Sequence, residues 1–500
     1  MTSVTVPEPA RSQSLNILLI TLDQFRGDCL SCAGHPVVRT PNLDRLAAEG
    51  VRFARHYSQA APCSPGRASL YTGMYQMNHR VVANGTPLDA GFDNLALAAR
   101  RAGYAPTLFG YTDQSVDPRE TDGPDDPRLL SYEGVLPGFS VGLELKPDDA
   151  QCWYDWLAGL GHEVVPDWDA MLESEPQRPA EHSMSAFLTE RLLGWMETQE
   201  KPWFAHISQT RPHPPYAAAG DFSKLYDDAD LPTPIAAGPA LHKLHERLLG
   251  VPGYAAPADM DHIQRQYFGM VSEADHQLGR IWAALEASGQ WEDTLIIVTA
   301  DHGEQLGDHG LIQKAAWFEE SYHILCVVRD PRGSKGLTVE AFTENVDIFP
   351  TICEAVGVPV PAQCDGAPLT HFLRNEIPPW WRDAAHWEYD WRQAQIPASP
   401  DPWPWDRRLE TRNLVVQRRA DVAYVHFGDG ASLCFDLAAD PTWRTLVTDP
   451  AVILEQAQAL LTWRAQTTDR TLTGMLVQNG GVGRWPAMPA NWGETARVTA

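Results

Sequence analysis

The sequence predicts an α/β sandwich with a central, largely parallel sheet, followed by a smaller α+β subdomain with an antiparallel sheet. Nearly continuous apolar runs, at 15–21 and 294–299, are typical of parallel strands that are covered on both faces. Helical patterns alternate with such runs, and the longest, at 263–287, keeps an apolar period of 3.6 residues. After about residue 378 the chain becomes rich in Trp and Pro and then alternates as antiparallel strands do.

These patterns divide the chain into an α/β domain over 1–378 and an α+β subdomain with its tail over 379–500. The predicted strands of the first part are 15–21, 105–109, 203–208, 294–299 and 324–328, and its predicted helices are 42–51, 63–74, 95–102, 185–197, 263–287 and 346–356. The second part is predicted to hold strands at 413–418, 422–427 and 432–437 and a helix at 453–467, before a Gly-rich tail. Most of its tryptophans are expected to pack between the two parts rather than line a pocket.

Composition excludes several classes of function. The 500 residues carry a formal net charge of −26, which argues against nucleic acid as a partner, since that binding depends on Lys and Arg at phosphates. No apolar run reaches the length of a membrane span, and the first 14 residues lack the apolar region of a secretory signal, so we expect a cytoplasmic protein. Eight scattered cysteines do not form a disulfide framework, and Cys29 and Cys32 are interpreted as packing residues.

Two of the predicted strands end in acid-containing pairs. Asp23-Gln24 follows the first strand and Asp301-His302 follows the strand at 294–299. In open α/β sheets the functional crevice lies at the carboxyl ends of the strands, so these distant pairs can meet there. Two carboxylates, an amide oxygen and an imidazole would make a site for a divalent metal ion.

The segment Cys63-Ser64-Pro65-Gly66-Arg67 has the pattern C-x-P-x-R. Taken alone, it also suits a buried structural cysteine. Pro65 fits the first turn of a helix, where its missing N–H costs nothing. Cys63 is therefore predicted at a helix N-terminus, where free N–H groups and the helix dipole favour an anion.

Together these motifs resemble the sulfatases of the alkaline phosphatase superfamily. That family has an acid pair after the first strand, C-x-P-x-R, and an acidic segment followed by a lysine, which match Asp23-Gln24, Cys63 to Arg67, 301–303 and Lys314. The segments 40–47 and 212–216 are also similar to the family's sequences. The resemblance implies an alkaline-phosphatase-like fold. It also implies that a formylglycine-generating enzyme converts Cys63 to formylglycine, and that the protein hydrolyses esters of a tetrahedral oxyacid.

Within that family the chain looks most like the bacterial phosphonate monoester hydrolases. Arylsulfatases usually have Asp-Asp and Asp-Asn where this chain has Gln24 and His302, and the segments 84–88 and 110–112 also resemble the phosphonate hydrolases. The resemblance implies a metal held by Asp23, Gln24, Asp301 and His302 together with residue 63. An amide and an imidazole disfavour Ca²⁺ without excluding it, and by the resemblance we choose Mn²⁺, with Ca²⁺, Zn²⁺ and Fe²⁺ as the alternatives.

The resemblance also implies roles around the substrate. Arg67 and Lys314 would stabilise charge on the oxyanion, and His213 would lie near the leaving oxygen as proton donor or hydrogen bonder. Asn84 and Tyr111 would contact the non-bridging oxygens or the substituent, with Thr112 and Asp113 beside the substrate. Asp113 stands where the phosphonate hydrolases have threonine; its charge would bind a cationic leaving group or repel a dianion.

Three hypotheses for function follow. The first is a metal- and formylglycine-dependent hydrolase of phosphonate monoesters and phosphodiesters with sulfate ester hydrolase activity. The second is a dedicated arylsulfatase. The third is a non-catalytic, metal-dependent binding protein; Gly66, where Ser or Ala is common, favours it. The tail at 471–485 is apolar enough to reach a neighbour, and we expect a homo-oligomer, a tetramer.

Overall fold

A computed structural model describes residues 15–392 and 410–468, and the backbone alone of 475–478 and 481–484. Its strands are β1 (Asn16–Leu22), β2 (Val51–Tyr57), β3 (Ala60–Ala61), β4 (Thr107–Gly110), β5 (Ser140–Glu144), β6 (Phe204–Gln209), β7 (Thr294–Thr299), β8 (Cys326–Arg329), β9 (Leu337–Glu344), β10 (Ala385–Asp390), β11 (Asn413–Arg418), β12 (Val422–Phe427), β13 (Ser432–Asp436), β14 (Met475–Gln478) and β15 (Gly481–Arg484). Its α-helices are α1 (Pro41–Glu49), α2 (Cys63–Thr72), α3 (Gln76–His79), α4 (Leu95–Arg101), α5 (Gln151–Gly159), α6 (Trp168–Glu173), α7 (Met184–Met196), α8 (Lys243–Leu248), α9 (Met260–Ala287), α10 (Ile348–Val356), α11 (Thr370–Leu373) and α12 (Pro450–Thr467).

Eight of the described strands form the main sheet, in the order β5-β4-β6-β1-β7-β8-β2-β9. The central strands β1 and β7 are buried along their whole length, as their apolar runs predict. The strand pairs of this sheet are parallel except those that include β8, which is antiparallel to β7 and to β2. A parallel neighbour needs a crossover connection, usually a helix, and the chain between β7 and β8 has only short 3₁₀ turns. The predicted, largely parallel sheet is confirmed.

Two apolar cores cover the faces of this sheet. Alternate residues of β1 separate between them: Leu18 and Ile20 pack in one, with α1, α7 and α9, whereas Ile17 and Leu19 pack in the other, with α2, α4 and α10. This helix–sheet–helix arrangement is the predicted sandwich.

A second described sheet has the order β13-β12-β11-β10-β3. Its strands from β10 to β13 are antiparallel, whereas β3 pairs in parallel with β10. Trp387 and Trp391 are buried in one apolar cluster with Trp317 and Tyr57 of the first part, which agrees with the predicted packing role. Trp403 and Trp405 lie outside the described residues.

The predicted boundary between 1–378 and 379–500 stays a prediction. In the structure β3, from the first part, completes the second sheet and runs directly into α2. The chain that leads to Cys63 therefore passes from β2 in the main sheet to β3 in the second sheet.

In the described part of the chain, every helix is too short or too polar to cross a membrane.

Candidate active site

Four neighbouring strands of the main sheet end at the same place. In the order β4-β6-β1-β7 they are all parallel, so their carboxyl ends meet at one edge. Each is followed by predicted site residues. They are Tyr111, Thr112 and Asp113 after β4, His213 after β6, Asp23 and Gln24 after β1, and Asp301 and His302 after β7.

Helix α2 brings Cys63 to this edge. Cys63 is the first residue of the helix, as predicted, and its thiol is buried. Its Sγ lies 3.2 Å from Nε2 of His302. Burial, with the nearby carboxylate of Asp23, raises the pKa of the thiol well above its ordinary value. The unmodified side chain is therefore a protonated thiol, a weak nucleophile.

Arg67, one turn further along α2, connects the two acid pairs. Its Nε donates to Oδ2 of Asp301 at 2.9 Å, and its Nη2 donates to Oδ2 of Asp23 at 3.1 Å. Its Nη1 donates to Oγ of Ser208 at 2.8 Å, and the guanidinium lies 4.4 Å from the ring centroid of Tyr111. Arg67 is completely buried, so its planar fork fixes the separation of the two carboxylates. The structure thus places Arg67 beneath the carboxylates.

Asp23, Cys63, Asp301 and His302 form a four-residue cluster whose ligand atoms all lie within 4.8 Å of one another. Nε2 of His302 is 3.8 Å from a carboxylate oxygen of Asp23 and 3.8 Å from one of Asp301. Oδ1 of Asp23 is buried and has no hydrogen-bond partner among the described residues. Such an atom is costly to bury, and a cation in the cluster would satisfy it. The donor set therefore fits a divalent metal ion.

The charges in the cluster support the same conclusion. Burial raises the pKa of Asp301 to about 7, and the neighbouring Asp23 carboxylate adds to the effect. Burial also disfavours the charged form of Asp23, but the positive groups around it, Arg67 and Lys314 among them, hold its pKa well below the ordinary value. Two adjacent buried carboxylates repel each other, and a divalent cation between them would relieve that repulsion.

Gln24 lies beside the cluster in a left-handed backbone conformation, with φ of 67°. Its N–H donates to Oδ1 of Asp301 at 3.1 Å, and its carbonyl accepts from the hydroxyl of Tyr267 at 2.7 Å. Its Oε1 accepts a hydrogen bond from Nζ of Lys314 at 2.8 Å. An amide oxygen has two lone pairs, so the predicted role as metal ligand is compatible with this bond.

Lys314 and His213 form a pair in the wall of the pocket. Nδ1 of His213 lies 2.7 Å from the carbonyl of Pro214, which fixes the tautomer with the proton on Nδ1. Nε2 then accepts from Nζ of Lys314 at 2.9 Å. Burial and the Lys314 charge lower the pKa of His213 to about 3, so the imidazole is neutral. Of the two alternatives for His213, the structure favours the hydrogen bonder, and Lys314 carries the proton.

Tyr111 and Asn84 are placed by contacts with the same machinery. The hydroxyl of Tyr111 donates to Oδ2 of Asp23 at 2.6 Å. The side-chain oxygen of Asn84 accepts from the N–H of Ser64, in the first turn of α2, at 3.0 Å. Both residues line the pocket that opens above the cluster.

A pocket of about 320 Å³ opens above the cluster, and Cys63 and Asp23 lie at its base. Its other lining residues are Asn84, Tyr111, Asp113, Tyr132, Glu133, Pro147, Asp167, Trp168, Asp169, Thr210, His213, Pro214 and Lys314. The volume is near the lower end of the range for small-molecule sites. Among the described residues of the second part, no tryptophan lines this pocket.

Asp113 lies in the pocket wall, whereas Thr112 does not. The hydroxyl of Thr112 donates to the carbonyl of Gly134 at 2.7 Å and accepts from the N–H of Leu136 at 2.8 Å. The prediction that Thr112 contacts the substrate is therefore corrected. Its neighbours Tyr111 and Asp113 line the pocket, whereas the side chain of Thr112 binds the loop that carries Glu133 and fixes its position.

Gly66, which favoured a non-catalytic protein, has a packing role instead. It faces the backbone carbonyls of Asp301 and Ala60, with no room for a side chain. Helix α2 and the end of β7 come into backbone contact here. A glycine at this position is thus compatible with an assembled site.

Sequence reasoning missed Ser208 and Glu304. Ser208 belongs to β6 and fixes Arg67, while buried Glu304 accepts from Nε2 of Gln24 and from the hydroxyl of Tyr216, the latter at 2.9 Å. Glu304 directly follows the motif at 301–303, and this adjacency could have marked it as a residue close to the site. A single serine inside a strand gave no such signal.

Comparison with known proteins gives a consistent result. The protein-family model described as Sulfatase matches residues 15–358. A relative in Trinickia caryophylli, the multifunctional alkaline phosphatase superfamily protein PehA, is 37% identical over 92% of this chain and 96% of its own.

Two solved structures are similar over nearly the whole chain. The phosphonate monoester hydrolase of Agrobacterium radiobacter is 42% identical, with a TM-score of 0.85 over 94% of this chain and 99% of its own. The phosphonate monoester hydrolase SpPMH from Silicibacter pomeroyi is 34% identical, with a TM-score of 0.84 over 95% of this chain and 99% of its own.

Proposed function

This chain belongs to the sulfatase family, and from that premise we propose that it is a metal- and formylglycine-dependent hydrolase of phosphonate monoesters and phosphodiesters that also hydrolyses sulfate esters. One observation carries the proposal: donor atoms of Asp23, Asp301 and His302 lie within 4.8 Å of the Sγ of Cys63, and Cys63 lies at the base of a small pocket. Nucleophile position, metal donors and substrate space coincide there.

The similar proteins support phosphonate esters as the main substrates. Two of them are phosphonate monoester hydrolases by name, and each covers more than nine tenths of this chain. The features that set this chain apart from ordinary arylsulfatases, Gln24 and His302, both lie in or beside the cluster. Sulfate monoesters, phosphonate monoesters and phosphodiesters share one negative charge on a tetrahedral centre, so one site can take all three.

Asp23, Gln24, Asp301 and His302 would hold the metal ion, for which we propose Mn²⁺. With the metal bound and residue 63 converted to formylglycine, the metal would polarise an oxyanion oxygen and the aldehyde hydrate would supply the attacking hydroxyl.

The other residues position and stabilise. Arg67 holds the carboxylates of Asp23 and Asp301 at fixed distance, so the metal donors are preorganised before substrate enters. Lys314 donates to Gln24 and His213, and its third N–H would donate to the oxyanion. Neutral His213 accepts one N–H of that ammonium and so orients it, and the proton that Lys314 gives to the leaving oxygen leaves a neutral amine.

The test is conversion and turnover measured on one preparation. The protein is produced together with a formylglycine-generating enzyme, and the tryptic peptide 56–67 is analysed by mass spectrometry. Rates are then compared on p-nitrophenyl phenylphosphonate, bis-p-nitrophenyl phosphate and p-nitrophenyl sulfate, with Cys63→Ala as the inactive control. We expect an aldehyde at position 63, bound Mn²⁺ and the highest kcat/KM on the phosphonate.

Two outcomes would contradict the proposal. Dominant turnover of the sulfate would identify a dedicated arylsulfatase. Converted, metal-loaded protein that turns over none of the three esters would identify a binding protein. The tetramer, the cytoplasmic location and the maturation enzyme stay predictions that this experiment leaves open.

A further inference from the structure

The pocket has two chemically different halves. At its base are Cys63 and Asp23, with Lys314 and His213 in the wall. Its remaining wall includes the four acids Asp113, Glu133, Asp167 and Asp169 and the aromatic residues Tyr132 and Trp168. In the described chain, Lys314 is the only lysine or arginine that lines the pocket.

Two of these acids are buried without full compensation. Asp113 is 3% exposed and Glu133 is 7% exposed. Oδ1 of Asp113 and Oε2 of Glu133 are buried and have no hydrogen-bond partner among the described residues. Burial raises the pKa of Asp113 to about 7 and that of Glu133 to about 8, and in each case a neighbouring acid adds to the rise. Carboxylates in this state are costly unless a ligand pairs with them.

The nearby cations are already engaged. Arg67 is bound to Asp23 and Asp301. Lys314 donates to Gln24 and His213. Beside Glu133, Lys146 pairs with Glu144 at 2.6 Å and donates to the backbone carbonyl, not the carboxylate, of Glu133 at 3.2 Å.

We infer that this acidic and aromatic wall binds an alkylammonium group on the leaving alcohol, so that the preferred substrates are monoanionic esters of cationic alcohols. This inference rests on the proposed function, because it assigns the leaving group of that same reaction. Carboxylates at Asp113 and Glu133 would pair with the charge, and the faces of Tyr132 and Trp168 would contact its methyl or methylene groups. The ester's own negative charge lies at the other end, near Lys314.

The first test compares two isosteric esters. 3-(Trimethylammonio)phenyl phenylphosphonate and 3-tert-butylphenyl phenylphosphonate differ in charge but hardly in shape. At pH 8.5, where both carboxylates are largely ionised, we expect kcat/KM for the cationic ester to exceed that for the neutral one by about tenfold or more, after correction for the leaving-group pKa with other substituted phenyl esters. Asp113→Asn and Glu133→Gln should each remove most of this preference, because they should lower kcat/KM for the cationic ester much more than kcat/KM for the neutral ester.

The matched control is Asp228→Asn, which removes a surface carboxylate outside the pocket and should keep the full preference. Equal kcat/KM for the two esters in the wild type, with good turnover of both, would overturn the inference and leave the proposed hydrolase intact. A preference that both pocket variants keep would also overturn it.

A second measurement needs no turnover. Binding of phenyltrimethylammonium is measured by titration calorimetry on the wild type, Asp113→Asn and Glu133→Gln, with tert-butanol as the neutral probe. We expect the variants to bind the cation about tenfold more weakly and tert-butanol unchanged. If cation binding is equal in all three proteins, the inference fails. If it differs while no ester is hydrolysed, the proposed function fails and the cation site stands.

Discussion

A methyl group on Gly66 would lie 2.5 Å from the backbone carbonyl oxygen of Asp301 and 3.0 Å from that of Ala60. Real Cβ atoms essentially never come as close as 2.5 Å to another heavy atom, and neither carbonyl is a flexible side-chain end. The helix that carries residue 63 and the strand end that carries the metal donors therefore meet without a spacer. This contact links the nucleophile position to the metal cluster.

Gly66→Ala is accordingly expected to move residue 63 away from the metal donors at the end of β7. Relief of the clash must move α2 or Asp301, and displacement by about an ångström can cost roughly 10²-fold in rate. We expect kcat/KM and bound metal to fall together. Gly194→Ala is the control, because its Cβ would meet nothing within 4 Å on the exposed side of α7. Unchanged activity and metal content in Gly66→Ala would contradict this account.

Arg67→Lys should impair the site although it keeps the charge. A lysine cannot reproduce the three separate hydrogen bonds to Asp23, Asp301 and Ser208. We expect about 10²- to 10³-fold lower kcat/KM and weaker metal retention in dialysis. Arg329→Lys changes another completely buried arginine, outside the pocket, and controls for a general loss of stability. Equal activity losses in the two variants would show that Arg67 acts on stability alone.

His213→Ala should reveal the leaving-group side of the pocket. Since neutral His213 accepts from Lys314, its loss releases the ammonium from the orientation in which it donates a proton to the leaving oxygen. We expect about tenfold loss with p-nitrophenol as leaving group and about 10³-fold with phenol, because poorer leaving groups need more proton transfer. The pocket-lining Thr210→Ser is the control. The same loss for both leaving groups would place His213 elsewhere in the mechanism.

Removal of the metal should lower stability as well as activity. Occupancy of a site that exists only in the folded protein adds about 3 kcal/mol when the free metal is 100 times its Kd. A chelator should therefore lower the melting temperature of the wild type, and Mn²⁺ should restore it. Asp23→Asn, which removes one donor of the cluster, should lose most of the chelator effect. A chelator that leaves the wild-type melting curve unchanged would argue against a bound ion.

His56 should contribute to destabilisation in mild acid. Burial lowers its pKa to about 4, although a hydrogen bond with Asn345 opposes the shift. In the unfolded chain the imidazole binds a proton near pH 6.5, whereas in the folded chain it binds one only near pH 4. The free energy of unfolding therefore falls as the pH falls through this window.

The change from pH 6.5 to pH 5 amounts to about 2 kcal/mol for this one group. His56→Gln should lose that part of the pH dependence in urea unfolding, whereas the exposed His262→Gln should not. Parallel pH profiles for wild type and His56→Gln would refute the prediction.

The sequence predicted the parts of the fold whose signal is local. Strand β7 was predicted at its observed bounds, since a strand buried on both faces is an apolar run between polar flanks. Strand β10 was missed because its residues, Ala385–Asp390, mix Trp, His and acids, and its burial comes from distant partners. The direction of β8 depends on the absence of a crossover helix, which periodicity at 324–328 does not reveal.

The same distinction holds in the site. Asp23, Asp301 and Cys63 were predicted because motifs mark them, and the structure brings them together. Glu133 was missed because it reaches the pocket from a loop whose position depends on Thr112. Their roles in the reaction stay predictions until the variants are measured.

The four-residue cluster and the acidic wall come from different stretches of chain. Strands β1 and β7 and helix α2 supply the former, whereas Asp113 and Glu133 belong to the region after β4, toward the edge of the sheet. Substitutions or insertions in that outer region can exchange one alcohol for another while the bond-breaking apparatus stays as it is. A lineage built this way can acquire new substrates by changing the region between β4 and α6, and engineers can begin at the same place.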